Sequence, residues 1–232
     1  MPNEWQEGRD MEKEKVVVFG NGQIASVAHF YITHDSPYEV AAFTVDREFI
    51  EKERFMELPV VPFDKVEAIY PPDKFKMFVP ISYRNVNKLR TEKYYQAKAK
   101  DYQFISYISS KATTWPGLVV GDNCFIFENN VIQPFVKIGN DVTLWSGNHI
   151  GHHTVIKDHC FIASHVVISG SVTIEPYCFL GVNSTLRDGI TIAKECVIGA
   201  GALILEDTQE KGVYTGSPAQ LLPKPSDELS RI

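Results

Sequence analysis

The sequence predicts two fused architectures: a small Rossmann-like α/β domain, then a parallel β-helix built from hexapeptide repeats. Three observations predict them. Every sixth residue from Val120 is aliphatic: Val120, Ile126, Ile132, Ile138, Leu144, Ile150, Ile156, Ile162, Ile168, Ile174, Leu180, Leu186, Ile192, Ile198 and Ile204. A helix repeats every 3.6 residues and a strand every two, so neither holds a period of six this long. A solenoid whose triangular coil is three hexads does. The position four after each aliphatic is mostly small or medium, from Cys124 through Val142 and Thr154 to Ala202, as a tight inward corner requires. Upstream, short β-branched runs alternate with helical stretches in the order β-α-β, which points to a parallel sheet with packed helices.

The elements follow in chain order. Residues 1–14, beginning "MPNEWQEGRD", are polar and charged and are expected to be a disordered leader. Val16 to Phe19 form a short apolar run typical of a buried parallel strand. Gly20-Asn21-Gly22 make a tight turn, and Ile24 to Thr33 are apolar enough for a buried helix. "YEVAAFTVD" gives a second strand ending at Asp46, and "FKMFVPI" (75–81) a third. Residues 85–100 read as a helix, and "YQFISYI" (102–108) closes the α/β domain, 15–110. The β-helix takes 111–222, and residues 223–232 form a tail.

The Gly20-x-Gly22 turn before a helix suits a phosphate. Asp46 lies where an acidic residue meets a ribose hydroxyl in dinucleotide-type folds. The third glycine of that fingerprint is absent, with Ala25 nearby, so a tight turn and a polar strand end stay open as the plainer account.

Composition narrows the function. The net charge is −6, with 23 basic and 29 acidic residues. No basic stripe suggests nucleic acid, and no apolar run approaches the length of a membrane span. A cytoplasmic location is expected. The four cysteines form no CxxC pair, so a zinc ribbon is not indicated. Cys124, Cys160, Cys178 and Cys196 are separated by multiples of 18 and should share one inner column of the prism.

Five of the seven histidines fall within "HIGHHTVIKDHCFIASH", residues 149–165. The hexad register separates them. His153, His159 and His165 hold equivalent positions on three successive sides, so they cannot converge on one metal within one chain. His152 is alone in its class, and one coil later its column holds Gly170, which leaves room beside it. His149, His159 and His165 are read as surface turn residues. Trp115, Trp145, Phe125, Phe161 and Phe179 are expected to pack between coils or against a neighbouring subunit.

Four stretches carry a family resemblance: "VVVFGNGQIA", "IGHHTVIKDHCFIASHVVISG", "CFLGVNSTLRDGITIAKECVIGAGALI" and "GVYTGSPAQLL". Together they resemble the sugar O-/N-acyltransferases of the sialic-acid O-acetyltransferase type, hexapeptide enzymes with a Rossmann-like domain before a left-handed parallel β-helix. The resemblance spans about residues 15 to 222. It implies a homotrimer that moves acetyl from acetyl-CoA to a nucleotide-linked (amino) sugar in bacterial glycan building. It implies His152 as general base, with His153 where many members carry an orienting acidic residue. That departure leaves Asp158 or Asp141 as other candidate partners of the base. It further implies that Gly170, Val182 and Ala200 meet acetyl-CoA and that Gly20, Gly22 and Asp46 hold the nucleotide-linked sugar, with no metal. Two rivals stand beside it: a zinc-dependent carbonic-anhydrase-like β-helix trimer, whose site uses three histidines from two subunits, and a non-catalytic sugar-nucleotide-binding scaffold.

Overall fold

The computed structural model describes residues 13–216. Nearly all of the expected leader, the closure from Ser217 onward and the tail at 223–232 lie outside the described residues.

The first domain is built on β1 (Glu14–Phe19), α1 (Gln23–Asp35), β2 (Tyr38–Val45), β3 (Arg54–Phe55), β4 (Leu58–Pro62), α2 (Val66–Ile69), β5 (Phe75–Phe78) and α3 (Lys88–Lys98). Its sheet runs β3-β4-β2-β1-β5. All neighbours are parallel except β3, which pairs antiparallel with β4. Residues Val16 and Val18 face α1, with Ala25, Ala28 and Ile32 behind them. Residues Val17 and Phe19 face the other way, onto Val66, Ala97 and Tyr102. The alternation of a two-faced buried strand thus places helices on both sides.

Three expectations shift. The third strand stops at Phe78, before Pro80. The helix expected from 85 begins at Lys88, because Asn85, Val86 and Asn87 all take left-handed φ (53°, 51°, 64°). The segment 102–108 does not close the α/β domain. Phe104 touches Met77 through one bridge, and Tyr107–Ile108 already pairs with Phe125–Ile126 in the β-helix. The β-helix therefore starts before residue 111.

From there the chain is a three-sided parallel prism. Strands of two residues stack 18 apart: Leu144 on Ile162 on one face, Ile150 on Ile168 on the next, Ile156 on Ile174 on the third. Of the fifteen periodic aliphatics, fourteen are buried and Val120, at the open end, is partly covered. Full burial of such a side chain contributes about 1.5–3 kcal/mol. The second periodic set is buried too, including all four cysteines, which are unpaired. Burial pushes the Cys124 thiol up to about 12, which suits packing and not thiolate chemistry.

A rule not read from the period explains the histidines. The residue three after each aliphatic has a positive φ at every corner from Asn123 to Gly201. The occupants are Asn, Phe, Asp, Gly, His, Ser, Tyr and Glu. Glycine enters this region freely, and Asn, Asp and His are enriched there. His153, His159 and His165, at φ 61°, 62° and 59°, obey the corner's backbone demand.

The α/β domain docks on one face of the prism and its two flanking corners. On the face, Phe125 and Phe127 join Tyr31 and Phe78 in one core. Phe161 and Phe179 stack on each other at 5.8 Å and meet Tyr83. These aromatics therefore pack on the α/β domain of the same chain. Helix α1 follows one corner, where Tyr31 Oη donates to Glu128. Helix α3 follows another, where Arg90 meets Asp141. The corner carrying His152 stays uncovered, with His152 and His153 both exposed.

Candidate active site

Three corners connect the faces, and each carries different chemistry. The corner at 151–154, repeated at 169–172, holds His152 over Gly170. A Cβ on Gly170 would come within 2.6 Å of His152 Cε1 and 2.8 Å of Nε2. The imidazole thus lies flat where only glycine leaves room. Gln133 Oε1 accepts the His152 backbone N–H at 2.8 Å. His152 Nδ1 lies 3.1 Å from His153 Nδ1. One of these nitrogens must donate and the other accept, since two lone pairs would repel. With His152 donating, its Nε2 keeps a lone pair, and no described residue hydrogen-bonds to that nitrogen.

Neither carboxylate considered as a partner for His152 reaches it. Asp158 Oδ1 accepts from the Asn140 backbone N–H at 2.7 Å. Asp141 is fully buried on another corner, held by Arg90, Asn123 and His159. His159 is a correction to the sequence reading. It is not a surface turn residue but 2 % exposed, with Nδ1 on Asp141 at 2.9 Å and Nε2 3.2 Å from Tyr95 Oη. The reason is tertiary: α3 covers this corner. His149 is half-buried on the face before His152. His165 is exposed, its ring against Gly147.

Val182 and Ala200 lie on the corner that α1 follows, not on the corner of His152 and Gly170. Within one chain a whole prism face separates the two sets. Among the described residues no protein acceptor takes the N–H of Gly170, Val182 or Ala200. Val182 and Ala200 line a groove of about 390 Å³ with Ser82, Tyr83, Trp145 and Ser164. Along one column its lining steps down from Trp145, which stacks on Phe127 at 4.5 Å, to Ala163 and Gly181. Ile24, in the first turn of α1, forms part of the wall. That helix starts at Gly22 with no side-chain cap and no acidic residue in its first turn, leaving amide donors and a positive dipole end. Sequence reasoning missed Tyr83, Trp145 and Gln133 as site neighbours. The shrinking column at 127, 145, 163 and 181 was the available signal.

Gly20 takes φ +120°, and a Cβ there would press on Ala25 at 3.3 Å. Asp46 turns to the opposite side of the sheet. Lys93, nearly buried, holds its carboxylate at 2.7 Å. The roughly 780 Å³ pocket lined by Asp46, Phe63, Lys93, Gln96 and Lys100 includes neither Gly20 nor Gly22. Asn21, whose side-chain amide donates to Phe49 O at 2.9 Å, ties the turn to the segment after Asp46. Among the described residues no three His, Cys, Asp or Glu side chains converge within the chain, and no helix is long and apolar enough to cross a membrane.

Comparison with known proteins bears on the same two parts of the chain. The bacterial transferase hexapeptide (six repeats) profile matches residues 117–152 and 136–170, and the hexapeptide repeat of succinyl-transferase matches 171–206. The repeats of the prism are thus similar, over residues 117–206, to those that the two profiles describe. The whole chain is similar in fold to a histidine mutant of perosamine N-acetyltransferase from Caulobacter crescentus, solved with CoA and GDP-perosamine. The TM-score is 0.77 at 21% identity, covering 90% of this chain and 97% of that one. The acetyltransferase domain of PglB from Neisseria gonorrhoeae gives 0.78 at 22%, covering 90% and 100%. WeeI from Acinetobacter baumannii gives 0.66 at 16%, covering 89% and 99%. The α/β domain and the prism therefore occur together, in this order, in other chains.

Proposed function

We propose that this protein is an acetyl-CoA-dependent acetyltransferase acting on a nucleotide-linked sugar, most simply an amino sugar, in bacterial glycan building. Its first domain is read as Rossmann-like and its prism as a left-handed β-helix. The observation that carries the proposal is His152: an exposed imidazole seated on Gly170, with Nδ1 engaged by His153 and Nε2 free. The fold neighbours, solved with CoA and a nucleotide sugar, support the substrate classes.

The chemistry needs few groups. The acceptor's amine or hydroxyl attacks the thioester carbonyl carbon while His152 Nε2 removes its proton. A neutral imidazole with a free ring nitrogen can accept that proton as a general base. The Gly170 N–H donates to the developing oxyanion. Collapse breaks the C–S bond, and the leaving thiolate takes the proton back from His152. The products are the acetylated sugar and free CoA.

The same reading calls for a homotrimer. His152 and the groove at Val182 and Ala200 sit on different corners of one prism, so the site is complete only when a second copy brings its groove beside this histidine. Acetyl-CoA would lie between the copies, along Gly170 of one and the Val182 and Ala200 amides of the next. The nucleotide would rest on the Gly20–Gly22 turn and the α1 N-terminus, with Asp46 as a further contact if Lys93 releases it.

A calorimetric titration with acetyl-CoA tests the donor without any guess about the acceptor. Saturable binding at about one per chain is expected. Absence of heat at millimolar ligand would overturn the proposal.

A further inference from the structure

Within the column of left-handed corner residues, two occupants break the chemical pattern. Phe135 and Tyr177 are bulky aromatics at φ +68° and +66°, the largest values among the non-glycine corners. An aromatic residue gains nothing there from local hydrogen bonding, and the conformation is strained for so bulky a side chain. Both aromatics lie one coil from a histidine in the same column. Tyr177 stacks on His159 at 5.0 Å, beneath α3. Phe135 packs on His153 with ring centroids 4.7 Å apart. At 70 % exposure, Phe135 is the most open of the large apolar residues among those described. Neither core packing nor backbone preference explains its presence.

We propose that Phe135 is a positioning residue for the His153–His152 pair. The inference rests on His152 being the base. The contact between the two Nδ1 atoms serves His152 as base in only one of its two tautomeric arrangements. His153 must present an Nδ1 lone pair, with its own proton on Nε2, while His152 carries its proton on Nδ1. His153 sits on a corner that the chain's own α/β domain leaves uncovered. Phe135 closes one side of the His153 ring, and His152 meets it nearly edge-on, at 84°. Gln133, two residues before Phe135 in the same turn, fixes the His152 backbone from below. One turn, 133–135, thus steadies both histidines: Gln133 holds the main chain and Phe135 the imidazole.

The strain makes the inference testable, because stability and positioning should respond in opposite directions. Glycine relieves the left-handed backbone, so Phe135→Gly should melt no lower than wild type. It should still lose the His152 tautomer and about tenfold in kcat, with little change in KM. Phe135→Tyr should restore both. The direct readout is the imidazole ¹⁵N spectrum at neutral pH, assigned with His152→Ala and His153→Ala. Wild type should show His152 held as the Nδ1–H tautomer, and Phe135→Gly should show the averaged shifts of a free imidazole. An unchanged His152 tautomer in Phe135→Gly would overturn the proposal, whatever the activity. Failure of His152 as base would instead appear as normal turnover in His152→Ala, so the two outcomes are distinct.

Discussion

His153 and His159 occupy the same hexad position, with the same backbone angle, one face apart. Their surroundings are opposite. His153 lies on bare prism, its ring against Phe135 and its Nδ1 against His152. His159 lies under α3, wedged among Tyr94, Tyr95 and Tyr177 and bonded to Asp141. The repeat fixes where such a residue stands, and the docked domain decides what it does. Around His159, Arg90 reaches Asp141 Oδ1 and the carbonyl oxygens of Asp141, His159 and Cys160. A left-handed corner turns its carbonyls outward, and one guanidinium satisfies three of them together with a buried carboxylate. On the bare corner no such side chain arrives from the α/β domain, and the His152 and His153 side chains stay exposed.

If the contrast is right, substitutions on the bare corner should remove turnover and spare the fold, and those under α3 should do the reverse. The largest effect is expected for His152→Ala: a loss of about 10²–10⁴-fold in turnover with an unchanged melting temperature, checked by steady-state assay and calorimetry. Near-normal turnover in the purified variant would remove the base. Asp141→Ala leaves the Arg90 charge buried without its partner. About 3–5 kcal/mol of stability should be lost, measured by denaturant unfolding, while kcat of the protein that remains folded stays near wild type. Gly170→Ala places a Cβ where His152 Cε1 now lies. Because the corner is solvent-exposed, the ring can swing away, so the expected cost is about 10²-fold in kcat with little change in stability. Stability loss without a kcat effect would show that the close seat is irrelevant to chemistry.

The smallest effect concerns acid. Burial favours the protonated forms of Asp35 and Glu128, but hydrogen bonds outweigh it. Ser110, Tyr107 and Ser109 hold Asp35 below the usual carboxylate range, and the Tyr31 and Ser146 hydroxyls do the same for Glu128. A depressed folded pKa stabilises above the unfolded value and is lost as pH falls through the folded one. These groups join α1 to the first coils of the prism. Melting temperature should therefore fall below about pH 4, and the fall should be shallower in Glu128→Gln than in wild type.

Much of the prism is legible in the sequence because its constraint is local and repeated. The inward column admits only aliphatics, and the adjacent one only small or medium groups, so the period survives without any knowledge of neighbours. The α/β domain is less legible. The hairpin of β3 and β4 carries too few residues to announce itself, and residues 102–108 read as one of the domain's own strands although Tyr107–Ile108 pairs with the prism. Of the site, the His152–Gly170 relation follows from the 18-residue coil. The groove at Tyr83 and Trp145 does not, because its two walls come from different domains and no local pattern links residue 83 to residue 145.

By itself, then, the sequence determined the coil, the inward columns and the list of residues able to stand at a left-handed corner, since each is a steric condition on one residue and its copies 18 places away. Only the tertiary structure decided which corners are covered. That choice depends on how α1 and α3 seat on the prism, through contacts such as Arg90 with Asp141 and Tyr31 with Glu128 that span 51 and 97 residues. The burial of His159 and the exposure of His152 follow from that docking, and the engagement of Asp46 by Lys93 from the packing of α3 on its own sheet.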